Sequence, residues 1–133
     1  MQAQDFKRLH LVIVDDNASI RSSYRALFLN IGCAVYEASS ADEALNFLEG
    51  AASFVDLVLT DIEMPGSMNG IGLANVIGAR WPEIAMIVSS GGYCPVAGEL
   101  PTGAVFVPKP NTAETLLQLL ASLTPEPHPH ANA

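Results

Sequence analysis

Hydrophobic and polar positions follow two alternating periods along the chain, and these predict strands and helices in turn. Five short apolar runs, typical of buried β-strands, lie at 9–14, 33–38, 54–60, 84–89 and 104–107. Between them, apolar residues recur at helical spacing; the first such set is Ile20, Tyr24, Leu27, Phe28 and Ile31. Strands that alternate with helices predict a parallel sheet that is covered by helices on both faces.

Capping and stop residues set the limits of the predicted helices. The expected N-caps of the first, second and last helices are Asn17, Ser40 and Asn111. Gly32 and Gly50 are expected to end the first two helices. The third helix is predicted over 71–80, since Trp81-Pro82 follows it directly. We therefore expect one domain over 9–123, after a lead-in at 1–8 and before a proline-rich, disordered tail at 124–133.

The segment SGGYCPVAGELPTG at 90–103 interrupts this alternation. Its glycines and prolines disfavour a helix, and few of its apolar residues are periodic. The sequence therefore predicts that the fourth helix is short, displaced or mobile.

Composition and charge exclude several classes of protein. The chain has 133 residues, half of them hydrophobic, and a formal net charge of -8, which disfavours binding to nucleic-acid phosphates or an anionic membrane surface. We expect no membrane span, because no apolar run is long enough, and no signal peptide, because the N-terminal residues do not show its pattern. Cys33 and Cys94 form no metal or redox motif and are expected to be free, half-buried thiols. A cytoplasmic location is the expectation.

Charged and hydroxyl side chains follow four of the predicted strands. Asp15-Asp16 end the first strand, Asp61 the third and Ser89 the fourth, while Lys109 follows the fifth. In a doubly wound sheet these strand ends meet at one crevice. Clustered carboxylates repel one another, and Mg²⁺ would relieve that repulsion. An aspartate or serine after a single strand is usually a turn residue, so the joint placement carries the inference. Such a pocket suits a phosphoryl group, with Asp61 as the nucleophile.

Four motifs make the interpretation more specific. They are VDDN at 14–17, LTDIEMPGSMNG at 59–70, VSSG at 88–91 and GAVFVPKP at 103–110. In order and spacing the chain resembles a receiver domain of a two-component response regulator, of the single-domain, chemotaxis-regulator-like kind. The resemblance implies an α/β, flavodoxin-like, doubly wound (βα)5 three-layer sandwich with a five-stranded parallel sheet of order 2-1-3-4-5.

The resemblance also implies a role for each matching residue. Asp61 would be the phosphoacceptor, and Mg²⁺ would be bound by Asp15, Asp16, Asp61 and the backbone carbonyl of Glu63. Lys109 would pair with the phosphoryl group and precede a cis peptide bond to Pro110. Ser89 and Phe106 would be the switch residues, although Phe106 lacks the hydroxyl that a tyrosine would bring.

The implied partners are a histidine kinase or histidine phosphotransfer protein and an unidentified downstream protein. We expect a monomer or weak dimer that catalyses only its own phosphorylation and dephosphorylation, and is otherwise no enzyme. Two alternatives keep the same fold: a phosphorylation-independent interaction module, and a receiver fragment of a hybrid histidine kinase. A phosphohydrolase with an aspartyl-phosphate intermediate is a third alternative. Glu63 has the spacing of a general acid, but we expect no cap domain or substrate pocket in a chain this short.

Overall fold

The computed structural model describes residues 9–124 and contains one five-stranded parallel sheet. The strands are β1 (His10–Val14), β2 (Ala34–Ala38), β3 (Leu57–Asp61), β4 (Ala85–Ser90) and β5 (Val105–Pro108). Their order is β2-β1-β3-β4-β5, as predicted. The helices are α1 (Ala18–Asn30), α2 (Ala41–Ala51), α3 (Gly70–Arg80) and α4 (Ala113–Leu123), and a 3₁₀ turn covers Ala52–Phe54. The predicted lead-in at 1–8 and nearly all of the predicted tail lie outside the described residues.

Two hydrophobic cores, one on each face of the sheet, hold the three layers together. Along β1, Val12 and Val14 point into one core, whereas Leu11 and Ile13 point into the other. The first core includes Leu48 from α2 together with residues of α3, and the second includes residues of α1 and α4. Because the central strands are buried on both faces, they are apolar at nearly every position, and this explains their continuous hydrophobic runs.

Some predicted element limits are confirmed and others are wrong. Asn17 and Ser40 cap α1 and α2 through side-chain oxygens that accept backbone N–H groups. The third strand starts at Leu57 and not at 54, because Phe54 ends the 3₁₀ turn and residues 55 and 56 connect that turn to the strand. Helix α4 is capped by Thr112, whose hydroxyl accepts the Thr115 N–H at 3.1 Å, and not by Asn111. Helix α2 continues one residue past Gly50, to Ala51.

The two cysteines are free, as predicted, but neither is half-buried. Cys33 is buried and Cys94 is exposed. Burial, and secondarily the charge of Asp56, raises the pKa of the Cys33 thiol to about 12. Cys33 therefore stays protonated at neutral pH. No helix within 9–124 is long and apolar enough to cross a membrane.

The segment between β4 and β5 contains turns and bends instead of a fourth crossover helix. The predicted departure from a regular helix is confirmed, but the short or irregular helix itself is absent, and the described chain has four α-helices, one fewer than a complete (βα)5 set. The Glu99 carboxylate organises the segment by accepting the Tyr93 hydroxyl at 2.9 Å and the Val96 N–H at 2.9 Å. Asn75 of α3 donates to the Glu99 backbone oxygen at 2.9 Å, which ties the segment to the helix.

Gly70, the first residue of α3, lies against the backbone at the end of β3. Its N–H donates to the Ile62 carbonyl at 3.0 Å. A Cβ at this position would lie 2.0 Å from the Asp61 backbone oxygen, so only glycine permits the approach. The start of α3 is therefore fixed directly against the residue predicted to be the phosphoacceptor.

We predict that Gly70→Ala destabilises the fold by about 1–3 kcal/mol, because the added methyl must displace backbone atoms. Gly50→Ala in α2 is the matched control. A Cβ there has no atom within 4 Å, so the substitution should stabilise the helix by about 0.5–1 kcal/mol. Urea denaturation of both variants gives the two free energies of unfolding. Equal effects of the two substitutions would contradict the close approach at Gly70.

Candidate functional site

Three carboxylates converge at the carboxyl edge of the sheet. Asp15 and Asp16 follow β1, and Asp61 is the last residue of β3, the neighbouring strand. One carboxylate oxygen from each lies within 4.8 Å of the other two. Asp15 and Asp61 are only 2% and 7% exposed, whereas Asp16 is exposed to solvent. The strand-end placement predicted from the sequence therefore brings these three residues together.

Lys109 supplies positive charge to this cluster from the end of β5. Its Nζ lies 3.1 Å from Asp61 Oδ1 and 3.3 Å from Asp15 Oδ2. The peptide bond from Lys109 to Pro110 is cis, as predicted. The Lys109–Asp61 ion pair lies outside hydrogen-bond geometry, and Asp61 Oδ1 has no hydrogen-bond partner among the described residues. The ion pair with Lys109 is thus the polar contact that this buried oxygen makes in the described structure.

The single positive charge of Lys109 does not balance the negative charge of the three carboxylates. Burial raises the pKa of Asp61, Lys109 lowers it, and the neighbouring Asp15 and Glu63 charges raise it again, so the net direction is upward. For Lys109, burial lowers the pKa, but the Asp61 and Asp15 carboxylates outweigh burial and raise it above the usual value. The site therefore keeps an excess of negative charge around a lysine that stays protonated.

This donor set fits a divalent cation such as Mg²⁺. Magnesium prefers carboxylate oxygens and keeps several waters, and the exposed Asp16 leaves a solvent-facing side for them. The oxygens of Asp15, Asp16 and Asp61 are close enough to share one ion, and among the described residues Asp61 Oδ1 is engaged only by the Lys109 ammonium, at 3.1 Å. The predicted participation of the Glu63 backbone carbonyl stays a prediction.

Ser89 lies beside Asp61 on the neighbouring strand. The two residues are register partners in the β3–β4 pairing, and Ser89 is 1% exposed. Its hydroxyl oxygen accepts a hydrogen bond from Asn111 Nδ2 at 3.1 Å. Asn111 Oδ1 in turn accepts from the Tyr24 hydroxyl of α1 at 3.4 Å. The proton of the Ser89 hydroxyl has no acceptor among the described residues, so it is free to be donated.

Asn111 lies at the site, although the sequence predicted it to be only the N-cap of the last helix. Asparagine is a favourable N-cap, and the sequence therefore favoured that role. In the folded chain Thr112 takes the cap, and Asn111 holds the Ser89 hydroxyl. Its position two residues after Lys109, at the same edge of the sheet as the carboxylates, is the only sequence signal for the contact.

Glu63 connects the cluster to the helix-free segment. Its Oε2 accepts hydrogen bonds from the Ser90 hydroxyl and from the Tyr93 N–H, the latter at 3.1 Å. The Ser90 hydrogen bond is the main reason that the pKa of Glu63 lies below its usual value. Desolvation opposes this shift, and the hydrogen bond from the Tyr93 N–H lowers the pKa further. Glu63 is therefore ionised and turned toward the segment that follows β4.

Phe106, the predicted switch residue, lies on β5 opposite Val88 of β4. It is half-buried and packs against the core on the α2–α3 face of the sheet. The rotation of this ring between two positions stays a prediction.

The family model described as the response regulator receiver domain matches residues 11–121 of this chain. The chain is 36% identical over 109 residues to the C4-dicarboxylate transport transcriptional regulatory protein DctD of Rhizobium meliloti, covering 80% of this chain and 23% of that protein. It is 33% identical over 110 residues to the sensor kinase CckA of Brucella abortus, covering 80% of this chain and 11% of that protein. This chain thus corresponds to a small part of these curated relatives.

The solved structures that resemble this fold include receiver domains. The CheY-like receiver domain protein of Methanospirillum hungatei superposes with a TM-score of 0.76 at 26% identity, covering 86% of this chain and 91% of that one. The receiver domain of the hybrid histidine kinase CckA superposes with a TM-score of 0.74 at 28% identity, covering 86% and 97%.

The raised pKa of Asp61 predicts that Asp61→Asn stabilises the metal-free protein. An acid whose pKa is higher in the folded chain lowers the free energy of unfolding as the pH rises from its unfolded pKa, about 3.9, through its folded pKa. The neutral Asn variant avoids that loss. Its excess stability over wild type, measured by urea denaturation with EDTA present, should therefore be larger at pH 7 than at pH 4.

Glu114→Gln is the control for this measurement, because it removes one negative charge from an exposed position in the first turn of α4. It should change the free energy of unfolding by no more than about 0.5 kcal/mol. An Asp61→Asn variant that is less stable than wild type at pH 7 would show that the Lys109 ion pair outweighs the cost of burial.

Proposed function

Because this chain belongs to the response regulator receiver domain family of two-component systems, we propose that Asp61 accepts a phosphoryl group from the phosphohistidine of a kinase or phosphotransfer protein. One observation carries the proposal. The buried Asp61 carboxylate lies within 4.8 Å of two further carboxylates and 3.1 Å from the ammonium of Lys109. This is an arrangement for accepting a dianionic group onto an acid.

In the transfer step, a carboxylate oxygen of Asp61 attacks phosphorus in line with the departing histidine nitrogen. The P–O bond forms as the P–N bond breaks, and the electron pair of that bond returns to the imidazole. Charge on the phosphoryl oxygens must be neutralised meanwhile, and this is the main contribution that a protein makes to such a step. Lys109 is placed to do so, since its Nζ already contacts Asp61.

Asp15, Asp16, Asp61 and the carbonyl of Glu63 are the residues that would hold Mg²⁺. When bound, the ion supplies additional positive charge for the phosphoryl oxygens. Asp15 and Lys109 also position each other, because their charged groups lie 3.3 Å apart. A bound divalent cation would balance the excess negative charge of the carboxylates and so lower the repulsion that an incoming phosphoryl group meets.

After transfer, Ser89 is the residue that would sense the phosphoryl group. Its oxygen already accepts from Asn111, so its own proton can be donated to a phosphoryl oxygen. Movement of Ser89 toward the phosphoryl group would open space for Phe106, which is held by packing alone because it has no hydroxyl. The output is then a population shift of the surface around β4, β5 and α4.

The similarity to both a transcriptional regulator and a sensor kinase supports a role in two-component signalling without specifying the phosphodonor. We infer that the protein works in the cytoplasm and catalyses only reactions of its own aspartyl phosphate. Steady turnover of a small phosphomonoester would contradict that inference.

Incubation with acetyl phosphate and Mg²⁺ should add one base-labile phosphoryl group to the wild-type protein, measured as intact mass. The gain should vanish with EDTA and in Asp61→Asn, because the variant lacks the attacking carboxylate. Asp42→Asn is the matched control, since Asp42 is exposed and its carboxylate contacts only Ser67 in the described chain. It should be phosphorylated like wild type.

The same measurement distinguishes the main alternative. No gain in mass with acetyl phosphate or with a panel of phosphorylated histidine kinases would establish a phosphorylation-independent interaction module. A gain that persists in Asp61→Asn would place the acceptor elsewhere.

A further inference from the structure

Arg21 of α1 connects the acidic cluster to the edge strand of the sheet. Its Nη1 donates a hydrogen bond to the backbone oxygen of Asp15 at 2.7 Å. Its Nε lies 3.1 Å from Glu37 Oε1 on β2. The Arg21 side chain is only 19% exposed, so both contacts are partly shielded from water. Neither contact was predicted from the sequence, where Arg21 is simply a polar position on an amphipathic helix.

The carbonyl that Arg21 contacts belongs to the peptide unit between Asp15 and Asp16. A peptide unit is planar, so a hydrogen bond to its oxygen also fixes the orientation of the next N–H and Cα. The direction in which Asp16 leaves the end of β1 therefore depends on the position of the Arg21 guanidinium.

Asp16 needs this support more than Asp15 does. The Asp15 carboxylate is held by the Asn17 N–H at 2.9 Å and by Lys109 at 3.3 Å. The Asp16 side chain is exposed and has no hydrogen bond or ion pair within the described residues. Its place in the cluster is therefore set by the backbone alone.

The contact requires the shape of an arginine. A guanidinium presents donors in a rigid plane and can serve a carbonyl and a carboxylate in different directions at once. Lysine keeps the charge but has a single nitrogen on a flexible chain. Arg25 provides a built-in comparison, because its Nε also pairs with Glu37, at 3.2 Å to Oε2, from a side chain that is 50% exposed. Within the described residues, Arg25 forms no hydrogen bond or ion pair with Asp15 or Asp16.

We propose that Arg21 is a positioning residue for the Mg²⁺ site: it fixes the Asp15–Asp16 peptide so that the Asp16 carboxylate faces those of Asp15 and Asp61. This inference rests on the proposed function, since it takes these acids to be the cation site. It differs from a surface ion pair, which contributes little and has no directional consequence.

The test compares Arg21→Lys with Arg25→Lys, which leave the net charge unchanged. The Mg²⁺ dissociation constant is measured by titrating backbone amide NMR shifts with MgCl₂, with no phosphodonor present. Arg21→Lys should raise the constant about tenfold, the lower end of the effect of losing a residue that orients a ligand. Arg25→Lys should leave it within twofold of wild type. The amide spectra also show whether each variant is folded.

Arg21→Gln gives an independent second measurement. Removing a positive charge near an acidic cluster should by electrostatics alone tighten cation binding, whereas loss of positioning should weaken it. We expect weaker Mg²⁺ binding in Arg21→Gln.

Phosphorylation by acetyl phosphate gives a further measurement on Arg21→Lys. The half-saturating Mg²⁺ concentration should rise about tenfold, with the rate at saturating Mg²⁺ unchanged, because every ligand is retained.

Unchanged Mg²⁺ affinity in Arg21→Lys, or an equal loss in both lysine variants, would overturn the positioning role while wild-type phosphorylation on Asp61 stayed intact. Absence of Mg²⁺ binding and of phosphorylation in wild type would instead overturn the proposed function, and this inference with it.

Discussion

The organisation of this protein depends on the repulsion among three carboxylates that a parallel sheet brings to one edge. Asp15, Asp16 and Asp61 meet there because β1 and β3 are adjacent and run in the same direction. Lys109 arrives from β5, two strands away from β3, and offsets only part of the charge. The fold must therefore supply enough apolar burial elsewhere to keep an unfavourable edge intact. The two hydrophobic cores on either side of the sheet provide it.

The same imbalance explains why neighbouring residues are so closely held. Three of the polar groups around Asp61 have a hydrogen bond that limits their movement: Ser89 to Asn111, Glu63 to Ser90 and Asp15 to Asn17. Preorganised groups do not have to reorient when charge arrives, which is the general basis of electrostatic stabilisation in protein sites. Repulsion makes a cluster of carboxylates unfavourable by itself, whereas a bound cation makes the same arrangement favourable.

The sequence predicted the sheet well because its central strands are buried on both faces, and their apolar runs leave little ambiguity. It predicted the strand-end acids and Lys109 because topology alone brings those positions together.

Other predictions were wrong for local reasons. Phe54 was predicted in a strand because aromatic residues favour strands. In the fold it ends a 3₁₀ turn, and its ring lies edge-on to that of His10, with centroids 5.2 Å apart. Asn111 and Thr112 are both good caps, and only the contact with Ser89 separates them. Glycine and proline content predicted a short or irregular helix after β4, whereas the described chain forms no helix there. No periodicity reveals that Glu99 would contact Tyr93 and Asn75.

The contact of Gly70 with the Asp61 backbone has a consequence for how this site tolerates change in its own loop. The loop at 62–69 leaves β3 and returns to the same point, where the Gly70 N–H meets the Ile62 carbonyl at 3.0 Å. Its two ends are thus clamped together independently of what lies between them. Lengthening a closed loop by a residue adds only a small entropic cost, since that cost rises with the logarithm of loop length. Insertions in its exposed middle can therefore accumulate, and the rim of the pocket can diversify between homologous proteins, while the acid at its floor stays in register with Ser89.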